Sequence, residues 1–102
     1  MSFNVGKYEF DGPLSSTNQL QDRSGVYVIV CSNGGQYQPV DCGESATVKS
    51  RVENHGRADC WKRNCNGTLM VAVLYTPNIQ SAGRVKIEQE IRRQHTFPCG
   101  QR

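Results

Sequence analysis

Seven residues, GVYVIVC at 25–31, constrain this chain more than any others. Val26, Val28 and Val30 share one face of an extended strand, and Tyr27, Ile29 and Cys31 share the other, so both faces avoid water. Such a strand sits inside a sheet and needs a covering layer on each side. TLMVAVLY at 68–75 has the same character, and Pro77 closes it. The turn SNGGQ at 32–36 tolerates positive φ, so YQPVDCG at 37–43 is expected to return antiparallel to the first strand. Pro39 cannot donate to a ladder and assigns that strand to a sheet edge.

The rest of the chain supplies the covering. Ser45 is placed to cap a helix over 45–55, a short helix is expected over 57–64, and a longer one runs from about Ser81 to His95 before Pro98 and Gly100. KYEFDGPL at 7–14 reads as an extended arm and SSTNQLQDRSG at 15–25 as a short helix. The expected fold is a small α/β (α+β) sandwich, a three-stranded antiparallel sheet flanked by helices. In that reading residues 1–24 are an arm and short helix packed on a domain of residues 25–102, all one structural domain, as befits 102 residues.

No apolar run approaches the ~20 residues of a membrane-spanning helix, and the N-terminal ten residues lack the basic and apolar regions of a secretion signal. A cytoplasmic location follows as the expectation. Five cysteines in a reducing compartment are expected to stay as thiols, with Cys31 and Cys42 acting as small buried apolar groups. His55, Cys60 and Cys65 are spaced five apart, but without a paired C-x-x-C motif no zinc is expected. The net charge of +3 is uneven: residues 41–102 carry ten basic and six acidic side chains, clustered at KSR, WKR and IRRQH. That is either a solvated helix surface or the footprint of a polyanionic partner.

Two helices place charge near the core. Val48, Arg51, Val52 and His55 stand at i, i+3, i+4 and i+7, so Arg51 is expected to lean toward the sheet and to need an anion, either a protein carboxylate or a phosphate. On the last helix Val85, Ile87 and Ile91 form the apolar stripe. Glu88 lies roughly 50° from its centre and Glu90 roughly 110°. Geometry alone suggests a Glu88–Arg51 ion pair.

The GVY opening the first strand, DCG ending its partner, SRVENH on the following helix, and IEQEIRRQH followed by PCG together resemble the GIY-YIG nuclease superfamily over residues 25–100. The resemblance implies that Tyr27 helps activate water, that Gly25 and Gly43 bracket the hairpin, and that Arg51 stabilises charge on the scissile phosphate. It places His55 beside that arginine and makes Glu88 the ligand of one divalent ion, Mg²⁺ or Mn²⁺. Two positions depart from the pattern: Asp41 stands where the second motif has tyrosine, and Gly100 where an asparagine often follows the last proline. Asp41 is then either an extra metal ligand or the mark of a lost activity. The implied function is a metal-dependent endonuclease or phosphodiesterase cleaving DNA, with a protein partner able to supply specificity. The alternatives are a catalytically impaired module that binds nucleic acid or a protein, and a structural domain held by Glu88 and Arg51.

Overall fold

The computed structural model describes residues 2–100. Strands β1 (Ser2–Val5) and β2 (Tyr8–Leu14) precede a single 3-10 turn at Thr17–Gln19. Next come β3 (Gly25–Asn33), β4 (Gln36–Ser45), helices α1 (Val48–Glu53) and α2 (Ala58–Arg63), β5 (Thr68–Tyr75) and α3 (Ser81–Gln94). All neighbours pair antiparallel in the order β1-β2-β5-β3-β4. GVYVIVC and TLMVAVLY are inner strands, and β4, which carries Pro39, is an edge.

The fold class differs from the expected three-stranded sandwich. The sheet has five strands and curls into a half-barrel, and only α3, at 14 residues, is a helix of substantial length. The arm read in residues 1–24 is a hairpin: Gly6, at φ 60°, turns β1 into β2, and Phe10 is fully buried. Its alternation is real, with Phe3, Val5, Tyr8 and Phe10 inward and Asn4 and Glu9 outward, but it is cut by the turn into runs too short to stand out. The expected helix over 15–25 shrinks to the turn that Ser16 caps, its Oγ accepting from the Asn18 amide at 3.1 Å. Ser45 is the end of β4 rather than a helix cap, and its Oγ accepts from the Thr47 amide at 3.0 Å. Residues 101 and 102, the end of the expected 25–102 domain, lie outside the described residues.

The sheet buries two cores. One face joins Tyr27, Ile29 and Val71 to Val48 and Val52 of α1 and Trp61 of α2. The other joins Val26, Val28 and Val30 to Phe10, Ile91 of α3 and Phe97. Two disulfides overturn the expectation of five free thiols. Cys31–Cys65 ties β3 to the second residue after α2, and Cys60–Cys99 ties α2 to the segment after α3. Sequence spacing carries no trace of either bridge, because the partners are 34 and 39 residues apart and meet only once the sheet forms. Cys42 alone keeps its thiol, buried within the sheet.

Candidate functional site

The site begins with a bulge. Ile29 pairs with Asp41 and Val30 with Pro39, which leaves Val40 as an extra residue in β4. Pro39, unable to donate, sits where the ladder is interrupted. The bulge lets Val40 and Asp41 both serve the face that carries Tyr27 and Ile29, and it opens the edge of β4 to the chain end: the Cys99 amide donates to the Val40 carbonyl at 3.1 Å.

Tyr27 lies on β3 opposite Gly43 and is 1% exposed. A Cβ at Gly43 would land on the Tyr27 hydroxyl, so glycine there is a packing requirement. The hydroxyl lies 2.8 Å from Nε2 of His55, which follows α1 and is buried against Trp61 with ring centroids 4.6 Å apart. Nδ1 of His55 accepts the Arg57 amide at 3.0 Å. An accepting Nδ1 puts the proton of the neutral ring on Nε2, so His55 donates to the Tyr27 oxygen. The Tyr27 oxygen is then an acceptor toward His55, inside the core.

The ionisation states fit this arrangement. Burial, with Arg57 and Arg51 nearby, pushes His55 down to about 4, so the ring is neutral at pH 7. Burial pushes Tyr27 up to about 12, against the pull of Arg51. Tyr27 is therefore a hydrogen-bond donor across the physiological range, and the water-activating role expected of it would demand a phenolate that this environment disfavours. Arg51 is exposed in the last turn of α1, yet its side chain reaches the Tyr27 hydroxyl on the sheet and its charge reaches both rings. Lys62 and Arg63 of α2 are also exposed. Along the same face runs a cleft of about 330 Å³ with Ile29, Val52, Trp61 and Val71 on its apolar side and Thr17 and Glu53 on its polar side.

A second cluster stands at the β4 edge. Asp41 is fully buried. Its Oδ1 accepts from the Cys42 amide (2.8 Å), Nη2 of Arg92 (2.8 Å) and Nη2 of Arg57 (3.3 Å). Its Oδ2 accepts from Nε of Arg57 (2.8 Å) and Nε1 of Trp61 (2.7 Å). Burial works to raise its pKa, and the bonds from Arg57, Trp61 and Arg92 outweigh burial and hold the carboxyl below the ordinary range. Arg92 also reaches Oε2 of Glu88 from Nε at 3.0 Å, the Cys99 carbonyl from Nη1 at 3.4 Å, and the Cys42 carbonyl. Gly100, at φ +70°, covers the cluster, and a Cβ there would fall 2.7–2.8 Å from Asp41, Arg57 and Arg92. That contact gives Gly100 its reason in this chain.

The expected site residues therefore divide. Tyr27, Gly43 and His55 meet, with Arg51 on the helix beside them. Glu88, 3% exposed, lies in the second cluster, and among the described residues its ion pair is with Arg92 and not Arg51. Arg57 joins the two clusters, its amide on His55 and its guanidinium on Asp41. Asp41 is a structural anchor with every lone pair engaged, not an extra metal ligand. Cys60 and Cys65 belong to separate disulfides, and both ring nitrogens of His55 are engaged, so this trio forms no common site. Sequence reasoning missed Arg57, Trp61 and Arg92. Only Arg92 left a signal, its i,i+4 spacing from Glu88.

The donor set does not fit the divalent ion that the resemblance implies. No three metal-ligating side chains cluster among the described residues, Asp41 is saturated, and Glu88 already holds a guanidinium.

No protein-family model, characterised protein or solved structure matches the chain.

Proposed function

We propose that the chain is a nuclease-type module of the GIY-YIG kind that binds the phosphodiester backbone of nucleic acid, DNA being the expected polymer. The observation that carries this reading is the exposed Arg51 beside the Tyr27–His55 contact of 2.8 Å, a guanidinium without an ion pair among the described residues. A phosphate is suited to that corner, taking a charged fork from Arg51. Lys62 and Arg63 extend the positive surface for neighbouring phosphates. The cleft alongside gives an unstacked base somewhere to lie. The two disulfides suit an oxidising compartment better than the cytoplasm first expected, and we place the chain's working environment there.

Cleavage is the second reading. It is favoured by one observation: Glu88 is linked to the Tyr27 corner through an unbroken run of contacts from Arg92 to Asp41 to Arg57 to His55. One experiment separates the readings. Labelled single- and double-stranded DNA is titrated with the protein by fluorescence anisotropy, and supercoiled plasmid is incubated with it with and without Mn²⁺. Binding with intact plasmid supports the module, and nicking that needs Tyr27 supports the endonuclease. An absence of both removes nucleic acid from the account.

A further inference from the structure

The disagreement between Glu88 and the expected metal is informative in itself. Four oxygens surround the Arg92 guanidinium: Oε2 of Glu88, Oδ1 of Asp41 and the carbonyls of Cys42 and Cys99. They come from β4, α3 and the segment after α3, so the fold itself gathers them. Phe97 closes one side, its ring centroid 5.3 Å from the guanidinium carbon. Two of the four oxygens carry negative charge, and both carboxylates are almost wholly removed from water. Such a shell requires a cation.

The shell is shaped for a planar fork. Its oxygens are spread over all three nitrogens of the guanidinium: Glu88 on Nε at 3.0 Å, the Cys99 carbonyl on Nη1 at 3.4 Å, and Asp41 (2.8 Å) with the Cys42 carbonyl on Nη2. A magnesium ion gathers its ligands around one point at about 2.1 Å. Arg57 adds a second positive charge on Asp41, so among the described residues two arginines already balance two carboxylates. A divalent ion added to this arrangement would leave a buried excess of positive charge.

We propose that Arg92 is the resident cation of this site, standing in the place of a divalent metal, so that anion binding at the neighbouring Tyr27–Arg51 corner is metal-independent. The link to anion binding rests on the phosphodiester reading above, whereas the claim about the cation does not. Arg92 on this view is a positioning residue. It clamps Asp41, and Asp41 holds Arg57, whose amide fixes the His55 tautomer.

The test uses Mn²⁺ alone, without nucleic acid, followed by the electron paramagnetic resonance signal of the free ion. The wild-type protein should leave that signal unchanged. Arg92→Ala removes the guanidinium and frees Oε2 of Glu88, the two carbonyls and one contact on Oδ1 of Asp41, so it should deplete the signal stoichiometrically. Glu88→Gln in that background should restore the signal. Arg92→Lys, which keeps the charge, should behave as wild type, and it decides the matter with the wild type if Arg92→Ala does not fold. Stoichiometric depletion by the wild type that Glu88→Gln abolishes would overturn the proposal, as would a folded Arg92→Ala that takes up no Mn²⁺. DNA titrated in EDTA and in Mn²⁺ at equal ionic strength should show the same affinity. Loss of DNA binding in both, with the manganese results as expected, would remove the nucleic-acid reading and leave Arg92 as the cation.

Discussion

The two clusters beside β4 share a residue and differ in what they leave unmet. The Asp41 cluster is closed: both carboxylate oxygens have all their partners, and Gly100 seals it. The Tyr27 corner is open on one side: Tyr27 and His55 are buried, but Arg51 beside them is exposed and has no ion pair among the described residues. Saturation marks a group that holds the fold, and a donor left over in a preorganised place marks one that can hold a ligand. The residue types alone would have suggested the reverse, since a buried aspartate among arginines looks chemically active and a tyrosine in a core strand looks structural.

Breaking the closed cluster should have the largest effect. Asp41→Ala leaves two guanidiniums and the Trp61 indole without their acceptor, and should cost about 3–5 kcal/mol of stability in urea unfolding. Removing either disulfide should cost about 2–4 kcal/mol, since each closes a long loop. Alkylation of the unfolded, unreduced protein should find one free thiol, Cys42, and a count of five would refute both bridges.

Acid should take the two clusters apart in order. His55 has a folded pKa of about 4, below its ordinary value of about 6.5. The unfolded chain therefore binds the His55 proton first, and stability should fall as pH drops from about 6.5 to about 4. His55→Gln should flatten that first limb. The Asp41 carboxyl is also depressed, so its contribution is complete above the unfolded value of about 3.9 and is lost as pH falls through the lower folded one. Asp41→Asn should flatten only the second limb. Near neutral pH, Tyr27→Phe leaves the His55 N–H without its acceptor and should cost about 1–3 kcal/mol.

The central parts of the fold were legible because they obey one physical rule at a time. GVYVIVC and TLMVAVLY are apolar on both faces and became inner strands, and Pro39 marked its strand as an edge. The β1–β2 hairpin was not legible, because its alternation is broken at Gly6 and again at Gly12-Pro13, where its pairing with β5 shifts register. In the site, strand pairing sets Tyr27 opposite Gly43, whereas His55 was grouped with them through the family resemblance and follows α1 instead of lying on it. The roles of Arg57 and Trp61 could not be read, because the approach of α2 to Asp41 depends on the bulge at Val40 and on two disulfides that close over 34 and 39 residues. Arg51 flanks the buried Val48 and Val52 of α1 as its spacing predicts, exposed to solvent while its side chain reaches Tyr27.

The smallest expected change in stability carries the most weight for function. Arg51→Ala removes an exposed side chain and should alter stability by no more than about 0.5 kcal/mol. The decisive measurement is the affinity of wild type and Arg51→Ala for a labelled DNA oligonucleotide across a series of salt concentrations. If the open corner binds a backbone phosphate, the variant should bind more weakly, and its slope of log affinity against log salt should be shallower by about one. Equal affinities and equal slopes would contradict the account.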